Sequence, residues 1–538
     1  MMGQLFNACD YLLDRRLAAG DGGRVALAGA FDDGSPCAGP AAGEISYAQL
    51  HDRVCRTAAG LRSAGLLPEQ RLLMVMADSP EFVVTYLAAM RIGAVPVPVS
   101  TMLRADGIAE LLRDSRARLL AVTPEFAEAA LAAAASAPEL AGVLAQSPLP
   151  ASGATVPGLR APVHLLPDLA AAAPDESVYD TSADAPAFWL YTSGTTGQAK
   201  GAMHRHGSVR VACEAYGAQV LGIRRGDRCL SAAKAFFAYG LGNSVLFPLS
   251  VGAASVLNAP PSRPQALCEV AAKHGATLFF AGPTFFAGML RAGLAPDALA
   301  GVRLAASAGE ALPASLYERW TAHFGVDIID GIGMTEMLHI FLSNYPGQVR
   351  AGTTGKAVPG YDLRLVDEDT GREAGDGTPA TLFVRGQSAA TGYWSRYDAS
   401  RQVFQGEWLR TGDTYVRDSD GYYTCLGRTG DMIKASGIWV SPMEVEARLL
   451  AHPAVSQAVV IAAPDSDGLE KPVAYVITAP GQAAGQSVTE QELIEYCREG
   501  LPSFKRPRKV IFTDSFPATA TGKVRRVELR AMAATVLL

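Results

Sequence analysis

Lysine is scarce in this chain: nine stand against 38 arginines among 538 residues. Cysteine is sparse and unpatterned. The eight are scattered with no Cys-x-x-Cys pair, and they read as small buried hydrophobes in a reducing compartment. No long apolar run is present. The longest, Ser244 to Leu257, is interrupted by Pro248, Ser250 and Gly252, too short and broken to span a bilayer. The start, Met1-Met2-Gly3-Gln4-Leu5-Phe6, has no basic segment followed by an apolar one, so no secretory signal is expected and a cytoplasmic protein is. Nor is there an excess of positive charge. A net charge of −6 argues against a general nucleic-acid binder, and any anionic ligand must be held by local positive groups.

What is present is ample apolar material, 49% of the residues, in a chain too long for a single core. Ser46-Tyr47-Ala48-Gln49 fits a capping box, followed by Leu50, Val54, Ala58 and Leu61 on one helical face. A strand is expected over Arg71 to Ala77. Ser79 and Pro80 then open a helix that Gly93 closes, and Val95 to Val99 reads as a strand despite two prolines. Short apolar strands recur at Leu119 to Val122, Ala276 to Ala281, Val302 to Ala306 and Val326 to Ile329, with helical stretches between. That alternation predicts parallel sheets wound with helices. The Ala-rich stretch from Phe126 to Ala173 reads as helix plus surface connection. After Gly360 the pattern changes to short strands with Asp/Gly turns, at Leu363 to Val366, Thr381 to Arg385 and Tyr422 to Leu426. A final α+β unit follows, in which Ser441-Pro442-Met443-Glu444 predicts a second capping box. The expected fold is therefore α/β. A large domain, residues 1–428 with a β-rich part over about 360–428, precedes a small α+β domain, residues 429–538.

The most informative segment is Tyr191-Thr192-Ser193-Gly194-Thr195-Thr196-Gly197-Gln198-Ala199-Lys200-Gly201, which follows an apolar run, Ala187 to Leu190, that reads as a buried strand. Glycines let backbone N–H groups approach an anion, hydroxyls add donors and Lys200 adds a point charge, so the segment suits a polyphosphate. The spacing is not that of a Walker A loop. Asp330-Gly331-Ile332-Gly333-Met334-Thr335-Glu336 follows a predicted strand end, a common place for ligands in open α/β sheets. A carboxylate at Glu336 is a compatible partner for a hard cation.

The order Ser-Gly-Thr-Thr-Gly-x-x-Lys-Gly resembles the phosphate loop of the adenylate-forming superfamily, and the resemblance extends over nearly the whole chain. These enzymes join a carboxylate to AMP from ATP and pass the acyl group to a thiol. The resemblance implies that Thr192, Ser193, Gly194, Thr195, Thr196, Gly197 and Lys200 cradle phosphate, that Thr335 binds the α-phosphate and that Glu336 holds Mg²⁺. It places Ser307, Gly309 and Glu310, of Ser307-Ala308-Gly309-Glu310, beside the adenine, with Asp330 and Gly331 flanking the base. Asp413, in Thr411-Gly412-Asp413, and Arg428 would take the ribose. Lys523, in Thr521-Gly522-Lys523, would bridge the attacking carboxylate and the α-phosphate, and the small domain would turn between half-reactions. Its second placement would present Lys434, Ser436 and Gly437 to a coenzyme A tunnel. One departure stands at the hinge: Gly430 replaces the usual Asp or Lys. The cluster Lys505-Arg506-Pro507-Arg508-Lys509 meets CoA phosphates or is a solvated face.

Lys234 to Asn243 resembles the pocket segment of benzoate–CoA ligases and their hydroxy- and aminobenzoate relatives. Phe237 falls where many members carry a gating histidine, and Ala238, Tyr239 and Gly240 would line a flat aryl slot. Met337 to Asn344 is similar to the same subgroup, with His339 facing the acid or serving a structural role. Gly333 would border the slot. Met334 replaces a small residue and Gly282 replaces a valine, so the slot is reshaped on two sides. The implied activity is ATP-dependent aryl-CoA ligation of benzoate or a simple derivative, with ATP, Mg²⁺ and coenzyme A, by a monomer or homodimer that binds neither nucleic acid nor membrane. Loading of a separate carrier protein, another compact acid and a nucleotide-binding sensor without turnover stay open. His204 and His206 suggest a metal site only weakly, since no third ligand cluster accompanies them.

Overall fold

The computed structural model describes residues 5–29, 43–147, 158–193, 199–435, 438–464, 470–479, 488–502, 505–518 and 524–533. Its α/β architecture follows from the local signals. Ser46 caps the helix Tyr47–Ser63 in a reciprocal capping box with Gln49, and Leu50, Val54, Ala58 and Leu61 are all buried. Ser79 and Pro80 start the helix Pro80–Arg91. The strands Arg71–Val75, Val95–Pro98 and Leu119–Val122 join one five-stranded, all-parallel sheet. Val95–Pro98 is its edge strand, where two missing N–H donors cost no ladder bonds.

The Ala-rich stretch corrects the expectation made for it. It holds the helix Ala127–Ala134 and also two further strands of that sheet, Gly142–Ala145 and Val163–Leu165. The first of these is buried throughout although built of Gly, Val, Leu and Ala, a composition without strand periodicity.

A nine-stranded sheet forms the second layer. Its parallel strands Leu278–Ala281, Leu304–Ser307 and Ile328–Gly333 lie side by side, followed by the antiparallel strand Ile340–Ser343. The β-rich part is an antiparallel sheet containing Asp362–Val366, Ala380–Arg385, Trp408–Arg417 and Tyr423–Arg428.

The carboxy-terminal unit has its own core around the sheet Val455–Pro464, Glu470–Thr478 and Lys509–Phe512. Val460, Ala474 and Val476 pack with helices Pro442–Leu450 and Glu490–Gly500. Val459, Ile461 and Val473 pack on the other face with Leu529 of helix Arg526–Ala533, the alternation a strand imposes. Ser441 caps Pro442–Leu450 by accepting from the Glu444 N–H at 3.3 Å, but the reciprocal half of the box does not form. The Glu444 carboxylate pairs with Lys505 at 2.8 Å. That also takes Lys505, the first cation of the 505–509 cluster, into a pair within the unit.

Candidate active site

The site lies where the carboxyl ends of the strands Leu278–Ala281, Leu304–Ser307 and Ile328–Gly333 stop side by side. Ser307 and Asp330 are register partners across two of them, and both are buried. Ser307 Oγ and Asp330 Oδ1 have no hydrogen-bond partner among the described residues. Burial lifts the Asp330 pKa to about 8, so this carboxyl keeps its proton at neutral pH and can donate. Gly331 fits because a Cβ there would come within 2.9 Å of Ile340. Gly309 turns with φ +96°, and the Glu310 carboxylate accepts from the Thr284 hydroxyl at 3.0 Å. Gly282 caps the helix Pro283–Arg291.

The two ends of the Thr192 to Lys200 segment lie on paired strands. Pro186–Ser193 pairs antiparallel with Ala199–Arg205, and Thr192 lies opposite Lys200. The side chain of Ser193 and residues 194–198, with the expected Gly194, Thr195, Thr196 and Gly197, lie outside the described residues. Lys200 Nζ stands 5.5 Å from the Tyr393 ring centroid. The Tyr393 hydroxyl donates to Glu336 Oε1, and burial together with this carboxylate pushes its pKa well up, so it stays a donor.

Three consecutive residues of the turn Thr335–Met337 are tied down from elsewhere. His204 Nε2 donates to the Thr335 carbonyl at 2.8 Å, the Ala390 N–H to that of Glu336 at 2.8 Å, and the Ser388 hydroxyl to that of Met337 at 2.8 Å. His204 is fully buried and stacked on Phe188, and desolvation lowers its pKa to about 4, so it is neutral. His206 accepts from the Ala8 N–H through Nδ1 and is likewise held down to about 4 by burial. These two histidines are spent on backbone groups, and the described residues contain no group of three or more His, Cys, Asp or Glu arranged to hold a metal ion. His204 and Tyr393 are site residues that the motifs did not disclose.

The donor set at Glu336 fits Mg²⁺. Glu336 is 6% exposed, makes no ion pair among the described residues, and has no cage of three or more His, Cys, Asp or Glu among them. Mg²⁺ characteristically takes one or two carboxylates and completes its shell with substrate phosphates and water.

The aromatic wall is built on the same strands. Phe237 precedes the helical turn Ala238–Leu241 and packs on Phe236 with centroids 4.4 Å apart. The Tyr239 hydroxyl donates to the Ala306 carbonyl at 2.8 Å, and His339 Nε2 donates to the Tyr239 carbonyl at 3.2 Å. His339 is buried among Tyr216, Tyr239 and Phe247, and desolvation drops its pKa to about 3. It supports the wall as a neutral ring and does not present a cation. Gly240 and Gly333 have packing reasons: a Cβ would meet Lys234 O at 2.0 Å and His339 O at 2.5 Å. Met334 is half-buried, immediately before Thr335.

Asp413 and Arg428 pair at 3.1 Å across adjacent strands. Lys434 lies opposite Trp439 in a hairpin, Gly430 sits in the turn Thr429–Asp431, and Ser436, Gly437 and Lys523 lie outside the described residues.

A polar wall and an aromatic wall on adjoining strand ends, in a chain that also carries a small second unit with its own core, suit an enzyme that activates an acid with a nucleotide. The AMP-binding enzyme family model matches residues 15–394, and the AMP-binding enzyme C-terminal domain model matches 444–523. The chain belongs to the AMP-binding enzyme family. It is 41% identical over 527 residues to a benzoate–CoA ligase of Thauera aromatica, covering 98% of this chain and 96% of that protein. It is 41% identical over 534 residues to a 4-hydroxybenzoate–CoA/benzoate–CoA ligase of Rhodopseudomonas palustris, covering 98% and 94%. The crystal structure of a benzoate CoA ligase from Burkholderia xenovorans LB400 matches with a TM-score of 0.87 at 39% identity, covering 98% of this chain and all of that one.

Proposed function

We propose that this protein is an ATP-dependent aryl-CoA ligase for benzoate or a simple hydroxy- or aminobenzoate, releasing AMP and pyrophosphate. The observation that carries this reading is the sharing of strand ends between the two walls: Tyr239 is hydrogen-bonded to the end of the Leu304–Ser307 strand, whose neighbour leads into Thr335 and Glu336. An aromatic acid seated against Phe237, Ala238 and Tyr239 is thereby held beside the phosphate side of the site. Full-length relatives that ligate benzoate and hydroxybenzoate support the same substrate class.

In this reading a carboxylate oxygen of the acid attacks the α-phosphorus, the bond to pyrophosphate breaks, and an aryl-AMP anhydride results. A thiolate of coenzyme A then attacks the acyl carbon and AMP leaves. Lys200 and the Thr192 to Gly197 loop hold the phosphates, Thr335 the α-phosphate, and Asp413 with Arg428 the ribose. Ser307, Gly309, Glu310, Asp330 and Gly331 surround the base. Glu336 would hold Mg²⁺, which neutralises phosphate charge. Lys523 balances charge at the attack point, and its loss is expected to cost about 10²- to 10³-fold in adenylation. Lys434, Ser436 and Gly437 would line the route of the thiol.

The division near residues 428–429 belongs to this reading, supported by the end of the Tyr423–Arg428 strand and the separate core beyond it. A cytoplasmic location is consistent with the ATP and CoA supply and with the free, mostly buried cysteines among the described residues. Among the described residues no helix is long and apolar enough to cross a membrane.

The test is AMP release by purified protein with ATP, Mg²⁺ and benzoate, with and without CoA. CoA-dependent AMP release together with benzoyl-CoA supports the ligase. AMP formation indifferent to CoA points to a carrier protein as acceptor, and its absence in both conditions removes benzoate.

A further inference from the structure

We infer that Tyr393 is a positioning residue for the metal-binding carboxylate, holding Glu336 in the orientation that receives the divalent cation of the nucleotide. This rests on the proposed reading of Glu336 as the Mg²⁺ ligand.

A buried carboxylate without a cation must be supplied with donors, and a protein that needs the anion for a metal must supply them without neutralising it. Glu336 meets both conditions. It makes no ion pair among the described residues, and the neutral Tyr393 hydroxyl donates to Oε1. The second carboxylate oxygen accepts from no described residue, which leaves it for a ligand. Tyr393 is itself only 6% exposed, so water does not compete for the bond.

The backbone shows why this tyrosine is rigid. Residues 391–394 run as an added strand beside Ala199–Arg205: the Thr391 N–H donates to Met203 O at 2.9 Å, the Met203 N–H to Gly392 O at 3.0 Å, and the Trp394 N–H to Gly201 O at 2.9 Å. Ala202 and Tyr393 form an antiparallel bridge. The Tyr393 N–H donates to Ser400 Oγ at 3.0 Å, and its ring meets Phe404 edge-on at 5.4 Å. Backbone, ring and hydroxyl are all fixed. The neighbouring strand Ala199–Arg205 carries Lys200, whose ammonium over the Tyr393 ring draws electron density from it and strengthens the phenol as a donor. It carries His204 too, which fixes the residue before Glu336. One strand thus aligns the phosphate lysine, the α-phosphate threonine and the metal carboxylate.

The decisive variant is Tyr393→Phe, which keeps the ring and its packing and removes only the hydrogen bond. Mn²⁺ is titrated by electron paramagnetic resonance into enzyme with ATP and no acid. Groups that hydrogen-bond a ligating carboxylate are worth about 10- to 100-fold in metal affinity, and a Mn²⁺ affinity loss of that size is expected, in a variant that still folds and melts cooperatively, at a lower temperature for want of the donor. AMP formation by the variant should recover as Mg²⁺ is raised. In a Glu336→Gln background, Tyr393→Phe should have no further effect on Mn²⁺. Wild-type Mn²⁺ affinity in the single variant, a rate deficit indifferent to Mg²⁺, or additive losses in the double variant would each overturn the inference. A wild-type enzyme that fails to bind Mn²⁺ with ATP would instead overturn the nucleotide reading on which it stands.

Discussion

Asp413 and Arg428 face each other as register partners on neighbouring antiparallel strands, with Arg428 Nε 3.1 Å from Asp413 Oδ1. Gly412, at φ +75°, lies within the strand Trp408–Arg417 where its pairing with Ala380–Arg385 shifts register, just before Asp413, and the Asp413 N–H donates to Thr411 Oγ1 at 3.1 Å. The carboxylate is mostly covered whereas the guanidinium is largely exposed, so the acid has been placed and the arginine reaches over it. This suits a ribose, whose two adjacent hydroxyls both find an acceptor in one carboxylate.

Replacing Asp413 with Ala should therefore raise the KM for ATP by about 10- to 100-fold, the value of hydrogen bonds to a charged group, and leave the KM for benzoate unchanged. Arg428→Gln should act in the same direction. Because the two groups touch, the double variant should lose less than the sum. Steady-state kinetics with each substrate varied would decide it, and an unchanged ATP KM in Asp413→Ala would remove the ribose assignment.

Asp330 sets a pH dependence of stability. Its carboxyl has an ordinary pKa of 3.8 and a native value of about 8, raised by burial. Between those values the folded protein holds a proton that the unfolded chain has released. Stability therefore falls as pH rises through the window, with no further change from this group above about 8. His51 adds the same sign higher up. Its hydrogen bond to Asp14 raises it from 6.5 to about 9, so its contribution is complete below the lower value and lost through the upper one. Asp330→Asn removes only the first effect. Its melting temperature should exceed that of wild type by a margin that grows from pH 5 to pH 8. A constant margin, or a loss growing with pH, would refute the neutral buried carboxyl.

Much of this arrangement was legible because its causes are local. The Ser46 box, the Pro80 helix start and the strands ending near Asp330 each declare themselves within a few residues. The phosphate segment was recognisable as a loop after a strand, but its return as the strand Ala199–Arg205 was not, since Ala-Lys-Gly-Ala-Met-His-Arg has no alternating apolar pattern. Tyr393 and His204 were illegible for a different reason. Their partners lie 57 and 131 residues away, and nothing in Thr391-Gly392-Tyr393-Trp394 announces which carboxylate the hydroxyl will meet. His339 was visible as a candidate, but only packing shows that its ring is neutral and committed to Tyr239.

Met334 tests the shape of the aryl slot. It is half-buried, in extended backbone at φ −140°, at the entrance to the Thr335–Met337 turn. In the proposed reading, this long flexible side chain stands where the resemblance implies a small one and would fill space beside the ring of the acid. Shortening it in Met334→Ala should raise kcat/KM for ring-substituted benzoates relative to benzoate by about ten-fold, within the range a pocket methylene or two is worth. The ATP KM should not move. A competition assay with paired acids reads the ratio directly, and an unaltered ranking means that Met334 faces away from the acid.

Gly430 occupies the turn Thr429–Asp431 between Arg428 and the hairpin of the carboxy-terminal unit. Neither space nor backbone angle demands glycine there: a Cβ would meet nothing within 4 Å, and Gly430 is not among the glycines with positive φ. Its neighbour is anchored, since Asp431 pairs with Arg530 at 2.6 Å and with Arg526 at 3.8 Å, tying the turn to helix Arg526–Ala533. What glycine contributes at 430 is therefore rotational freedom just ahead of an anchored residue. Gly430→Ala should fold as well as wild type or gain about 0.4–1 kcal/mol, because the unfolded chain loses freedom. If the unit turns between half-reactions about this point, the restriction falls on the second of them. Pyrophosphate exchange with benzoate should stay at the wild-type rate while single-turnover transfer to CoA slows several-fold. Equal slowing of both half-reactions, or of neither, would place the pivot elsewhere in the connection.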